Sequence, residues 1–151
     1  MTRFKVDMRG LTDLMGDLAD LPDKANASIA RTNNFVAQST AARVKKKIRS
    51  PGRSGRVYTV GGRTHQASAP GEVPASLTGA LADSYTFTKM TDKPTSFATA
   101  GSNLTYSRVL EFGGLNDQGF WVHARPVLFP SFIEAMVQAE KVLKREFEAS
   151  I

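Results

Sequence analysis

Residues 130–147 read PSFIEAMVQAEKVLKREF, and this stretch carries the clearest periodic pattern in the chain. Its apolar residues recur every three to four positions, which is the period of a helix with one buried face. Ser131 and Glu134 have the spacing of a capping box, and Pro130 stands just before them. We therefore expect a C-terminal amphipathic helix. Its predicted apolar face consists of Phe132, Met136, Ala139, Leu143 and Phe147, widened by Ile133 and Val137.

Upstream of this helix, the sequence predicts short strands in pairs. Residues 84–90 and 95–100 are rich in β-formers and flank a turn at Pro94, which predicts an antiparallel pair. Residues 56–60 and 63–66 flank Gly61-Gly62 and predict a second hairpin. Short helices are expected over residues 77–83 and 106–112.

The N-terminal third predicts a strand followed by helices. Residues 3–8 alternate apolar and polar side chains, as a half-buried strand does. We expect one short helix ending near Asp20 and a long one from about Pro22 to Arg49. The order predicts an α+β fold with an N-terminal strand and long helix, a small antiparallel sheet and a C-terminal amphipathic helix.

Length and composition predict one domain, residues 1–151, without disulfides, because the chain contains no cysteine. Residues at about 50–76 are rich in Gly, Pro and Ser, which predicts an extended arm. No apolar run reaches the length of a membrane helix. The first eight residues lack the apolar core of a signal peptide. We therefore expect neither a membrane partner nor export by that route.

The sequence lacks the common catalytic motifs, and we therefore expect a protein that is not an enzyme. The sequence holds no phosphate-binding loop, no dinucleotide fingerprint and no nucleophile elbow. His65 and His123 have no metal-ligand spacing, so we expect local hydrogen bonding and no cofactor or metal. Glu111 has no partner motif for general-base chemistry. Trp121 is expected to pack in the core or at an interface.

The charge of +6 is unevenly distributed. Residues 24–71 hold ten cations and no acid, whereas the remaining chain holds ten cations and all 14 acids, a net charge of −4. Three interpretations stay open for the basic stretch: a surface for a protein partner, a surface for passing DNA, or a solvated face. Opposed charges within one chain also allow head-to-tail packing of copies. The basic candidates are Arg43, Lys45, Lys46, Lys47, Arg49, Arg53, Arg56 and Arg63.

Three blocks of sequence resemble the tail-component family of siphophages, whose members are head–tail joining and tail-completion proteins. The first runs over residues 58–84, with His65-x-Ala67-Ser68-x-Pro70-Gly71-x-x-Pro74-Ala75 at its centre and Thr78-Gly79-x-Leu81-x-x-Ser84 at its end. The second is Tyr106-x-x-x-Leu110-Glu111-Phe112-Gly113-Gly114, and the third is Ala124-Arg125-Pro126-x-x-x-Pro130. Together they span residues 58–130, about half of the chain.

The resemblance implies a structural virion protein of a tailed bacteriophage, without enzyme activity or cofactor. It would be a ring-forming subunit of the head–tail connector, neck or tail-completion assembly, present in the host cytoplasm during assembly. We expect a hexamer, with a dodecamer as the alternative. Its expected partners are copies of itself and neighbouring neck, tail-terminator or tail-tube proteins, with non-specific contact to channel DNA. The alternative function is a basic nucleic-acid-binding module that contacts phage DNA.

Two sets of residues are the candidate contacts for that role. The prolines of the arm preset its backbone angles, so that it can lie across a neighbouring subunit at a low ordering cost. A guanidinium fork at Arg125 suits a buried carboxylate, and Glu111 is the predicted partner. The candidate inter-subunit residues of the arm are Pro70, Gly71, Pro74, Thr78 and Gly79.

Overall fold

The computed structural model describes residues 9–50, 53–92 and 95–149. Its helices are α1 (Arg9–Arg49), α2 (Ala80–Ser84), α3 (Thr105–Phe112) and α4 (Leu128–Glu148). Its strands are β1 (Val57–Val60), β2 (Arg63–Gln66), β3 (Tyr85–Asp92), β4 (Thr95–Ser102), β5 (Gly114–Leu115) and β6 (Trp121–Val122). The predicted α+β class is confirmed. The predicted strand over residues 3–8 lies outside the described residues.

The N-terminal helices form one element, because α1 continues for 41 residues through Pro22. The prediction of a break before Pro22 is therefore wrong. Proline lacks the N–H that would bond to the carbonyl of Leu18 and usually bends or ends a helix. Here residues 18–23 are exposed, so water can solvate the carbonyl that is left without this bond.

Helix α4 lies antiparallel on the middle and C-terminal part of α1. The hydroxyl of Ser28 donates to the carbonyl of Glu146 at 3.2 Å, while Lys47 binds Glu134 at 2.7 Å. Side chains of α4 that face α1 are small: Ser131, Ala135 and Ala139 are buried. Small residues let the two backbones approach closely. The contact on α1 includes Ser28, Thr32, Val36 and Thr40, all buried.

The main core lies at the C-terminal end of α1, between that helix, α2 and the start of α4. Val44, Ile48, Leu81, Ala82, Tyr85 and Val127 form this cluster. Val73, Leu104, Leu110 and Leu128 pack against it. A second, smaller cluster joins Val36 of α1 to Ala135 and Ala139 of α4, with Phe35 beside it.

The strands form three separate antiparallel pairs, β1–β2, β3–β4 and β5–β6. The β3–β4 pair packs on α1. All four residues of β1 are exposed, so the β1–β2 hairpin stands out from the helices. Its base is closed at Gly55, whose N–H donates to the carbonyl of Ala67 at 3.0 Å. A Cβ at position 55 would lie 2.6 Å from that same oxygen, so the close approach requires glycine.

Candidate interaction surface

The carboxylate of Glu111 caps the N-terminus of α4. It accepts backbone hydrogen bonds from Val127 at 2.9 Å, Leu128 at 3.0 Å and Phe129 at 2.8 Å. These are three of the N–H groups that a helix leaves without intrahelical partners, and a negative charge there also favours the helix dipole. Glu111 is buried and comes from α3, so the cap fixes α3 against α4.

The capping box predicted for Ser131 and Glu134 is wrong, since α4 begins three residues earlier, at Leu128. The hydroxyl of Ser131 donates to the carbonyl of Val127 at 2.6 Å, inside the helix. Glu134 accepts from Arg43 and Lys47 of α1. These two cations, with the Lys47 hydrogen bond as the largest cause, lower the pKa of Glu134.

The predicted ion pair between Glu111 and Arg125 is not formed within the described residues. The guanidinium of Arg125 donates to the carbonyl of Ser68 through Nε at 3.3 Å and Nη2 at 3.2 Å, and to the carbonyl of His123 at 3.3 Å. Neutral carbonyls therefore hold this cation, while backbone N–H groups hold the carboxylate. The two charged groups do not pair because each binds backbone groups that sequence spacing does not reveal.

The three sequence blocks meet in one hydrogen-bonded framework. Arg125 of the third block binds Ser68 of the first through its side chain, and its own N–H donates to the carbonyl of Leu110 in the second at 2.6 Å. Gly71 of the first block donates to the carbonyl of Ala124 at 3.0 Å. Residues that are far apart in sequence thus support one another around the start of α4.

Two of the predicted inter-subunit residues of the arm, Gly71 and Pro74, are held against the rest of the same chain, whereas Pro70 and Thr78 are exposed. Pro74 is buried and Gly71 is bound to Ala124, so this part of the segment does not project as a free arm. The hydroxyl of Thr78 accepts from Ala80, and Gly79 precedes α2 with φ of 87°. The left-handed backbone, more than a lack of space, requires glycine at position 79.

A carboxylate also holds the segment before and after the β1–β2 hairpin. Glu72 accepts from the N–H and hydroxyl of Ser54 and from the N–H of Ala69. The hydrogen bond from the Ser54 hydroxyl is the largest cause that lowers the pKa of Glu72. The hairpin is therefore the part of residues 50–76 that remains outside this framework.

An open apolar groove of about 570 Å³ lies between α1, β4 and α4. Its large side chains remain accessible, with Phe112 75% exposed and Phe129 64% exposed. The Glu111 cap fixes the backbone at both of these residues, because Phe112 follows Glu111 and the N–H of Phe129 is one of its donors. We name this surface the aromatic groove, which is defined by Phe97, Phe112, Phe129, Phe132 and Met136.

A second group of exposed apolar residues lies around the β5–β6 pair, namely Leu115, Phe120 and Trp121. Trp121 is 67% exposed, so the core alternative predicted for it is wrong and the interface alternative stays a prediction. His65 is buried, and its ring meets that of Tyr58 edge-on at 5.3 Å between centroids. His123 is exposed.

The eight basic candidates do not form one free surface. Arg43 and Lys47 hold Glu134, Arg49 pairs with Asp83, and Arg53 donates to the carbonyl of Ile48 at 2.7 Å. The other four have no ion pair within residues 9–50, 53–92 and 95–149. They are Lys45, Lys46, Arg56 and Arg63.

In the described part of the chain, no group of three or more His, Asp or Glu side chains could hold a metal ion. None of the helices described is long and apolar enough to cross a membrane. Comparisons of the chain with protein-family models, curated proteins and solved structures give no match.

Proposed function

We propose that the chain is a structural subunit of a tailed bacteriophage, which forms a ring in the neck, head–tail connector or tail-completion assembly. The expected ring is a hexamer, with a dodecamer as the alternative. Its neighbours would be tail-terminator, tail-tube or other neck proteins in the virion. No enzymatic step belongs to this function.

One observation carries the proposal: α4 buries its small side chains and leaves its large ones open. Ser131, Ala135 and Ala139 face α1, whereas Phe129 and Phe132 line the accessible aromatic groove. A contiguous exposed apolar surface is characteristic of a protein that binds other proteins. A subunit that is covered by its neighbours in a ring would bury this surface.

The phage assignment rests on the three sequence blocks. Their hydrogen-bonded framework supports it, because residues that carry the resemblance also hold one structural unit together. The same unit positions Phe112 and Phe129 of the aromatic groove through Glu111. Resemblance and exposed surface thus converge on one region of the chain.

Mass measurement by light scattering tests the proposal, on the protein alone and mixed with tail tubes. We expect wild type to reach six or twelve times 16.4 kDa. The double variant Phe112→Ser/Phe129→Ser should stay monomeric, while Val137→Ser, which changes an exposed α4 residue outside the groove, should assemble. Wild-type protein that remains a monomer in both conditions would refute the ring.

The alternative function, a basic module that contacts phage DNA, is favoured by Lys45, Lys46, Arg56 and Arg63, four of the basic candidates, which form no ion pair among the described residues. Two of them, Lys45 and Lys46, lie on consecutive positions near the end of α1. Phosphate contacts release counterions, so binding by this surface would weaken steeply with salt. Tight DNA binding that is lost in Lys45→Ala/Lys46→Ala, in a protein that never assembles, would favour this alternative over the ring.

A further inference from the structure

The first described side chains of α1 project beyond the end of α4. Because Ser28 and Arg31 contact Glu146 and α4 ends at Glu148, the turns of α1 before about Lys24 extend past the end of α4. Met15 is 63% exposed and Leu18 58% exposed, and Leu21 is exposed as well. We call residues 15–23 the overhang of α1.

The overhang is an apolar helix surface within an acidic segment. Residues 10–23 contain four aspartates and no lysine or arginine. Asp20 and Asp23 are exposed, and neither forms an ion pair in the part of the chain that the structure describes. A partner of this surface should therefore offer apolar side chains flanked by positive charge.

The β1–β2 hairpin has these properties. Residues 53–66 contain three arginines and no acid. The register Tyr58↔His65 and Val60↔Arg63 places exposed Tyr58 and Val60 on the same face as Arg63. Arg56 and Arg63 have no ion pair among the described residues.

One chain cannot join its own hairpin to its own overhang. The base of the hairpin lies at the C-terminal end of α1, where Arg53 binds the carbonyl of Ile48. From Asp20 to that end, α1 rises about 40 Å at 1.5 Å per residue. A strand of four residues spans only about 13 Å. The two surfaces therefore belong to opposite ends of the molecule.

We infer that the hairpin of one copy docks on the overhang of the next, in a head-to-tail contact between identical chains. Opposite charges draw the two surfaces together, and Tyr58 and Val60 cover Leu18 and Leu21 of the neighbour. A heterologous contact of this kind closes into a ring when its rotation permits. The inference rests on the proposed function, since it names a second contact between neighbours in the proposed ring, beside the one that covers the aromatic groove.

Charge reversal in two complementary variants tests this contact. Asp20→Lys/Asp23→Lys makes the overhang basic, as the hairpin already is. Arg56→Glu/Arg63→Glu makes the hairpin acidic, as the overhang already is. Each variant alone should need a roughly tenfold or higher protein concentration to assemble, since like charges then face each other. An equimolar mixture of the two should recover assembly, because each overhang again meets a hairpin of opposite charge.

Matched controls carry the same change in charge elsewhere. Asp117→Lys/Glu140→Lys and Lys89→Glu/Arg108→Glu alter exposed residues outside both surfaces and should assemble as wild type does. Light scattering reports mass, and circular dichroism reports that each variant is folded.

The outcomes separate this contact from the proposed function. A wild-type ring whose assembly both variants retain, or whose loss the mixture does not restore, overturns the contact and leaves the ring. Wild type that forms only a dimer, together with a mixture that recovers this dimer, supports the contact and refutes the ring. A wild-type chain that stays monomeric at every concentration overturns both.

Discussion

At the level of single residues, the carboxylate of Glu111 joins α3 to the first turn of α4, and its substitution tests that joint. Glu111→Ala leaves three backbone N–H groups without their acceptor. We expect the free energy of unfolding to fall by roughly 2–4 kcal/mol, measured by denaturant titration. Glu111→Gln should lie between, because its amide keeps one acceptor oxygen. Glu140→Ala removes an exposed glutamate of α4 and is the control, so an equal loss there would contradict the cap.

Tyr85 makes the stability of the fold depend on pH in the alkaline range. Burial, followed by the charges of Glu111 and Tyr106, raises the pKa of Tyr85 from 10.0 to about 12. The unfolded chain loses this proton near pH 10, so the stabilisation is complete below about pH 10 and is lost as the pH rises through about 12. Tyrosinate absorbance should show a step near pH 12 that Tyr85→Phe lacks. Identical titrations of the two proteins would contradict this.

Among the elements, α4 has two faces that should respond in opposite ways to substitution. Ala135 is fully buried against α1, so Ala135→Leu should overpack the contact and lower the free energy of unfolding by about 1–3 kcal/mol. Phe132 is partly exposed in the aromatic groove, so Phe132→Ser should change stability less and weaken assembly more. Thermal unfolding and light scattering measure the two effects. Equal losses of stability would mean that Phe132 belongs to the core.

The existence of most elements could be predicted from periodicity and turn residues. Gly61-Gly62 marks the turn of the β1–β2 hairpin, and the alternation after Ser84 marks β3. The orientation of α4 could not be predicted in this way, because periodicity selects the larger apolar residues as the buried face. Here α1 takes the small face instead, since Ser28 and Thr32 allow close approach.

Contacts between residues far apart in the sequence could not be predicted from it. Glu111 and Phe129 are 18 residues apart, and no spacing rule relates a carboxylate to the N–H groups of another helix. The exposed Arg56 and Arg63 differ from the paired Arg43 and Arg49 only in their surroundings. Sequence identified the charged segments, and the fold decided which of those charges remain available to a partner.

For the whole molecule, the apparent stability should depend on protein concentration. Assembly binds only the folded chain, so mass action raises the Tm as concentration increases. We expect thermal unfolding of wild type to shift upward over a hundredfold range of concentration, and that of Phe112→Ser/Phe129→Ser to stay constant. A wild-type Tm that does not move would show that the folded chain gains nothing from its neighbours.

In the proposed ring, the stretch of α1 between the overhang and Ser28 would set the distance between neighbouring copies. If a neighbouring copy binds the overhang, that distance depends on the number of helical turns in this stretch. Seven residues inserted in this stretch would lengthen it by about 10 Å and rotate the bound face of the overhang by only about 20°. The diameter of the ring, and with it the width of its central opening, would then depend on the number of residues between the overhang and Ser28.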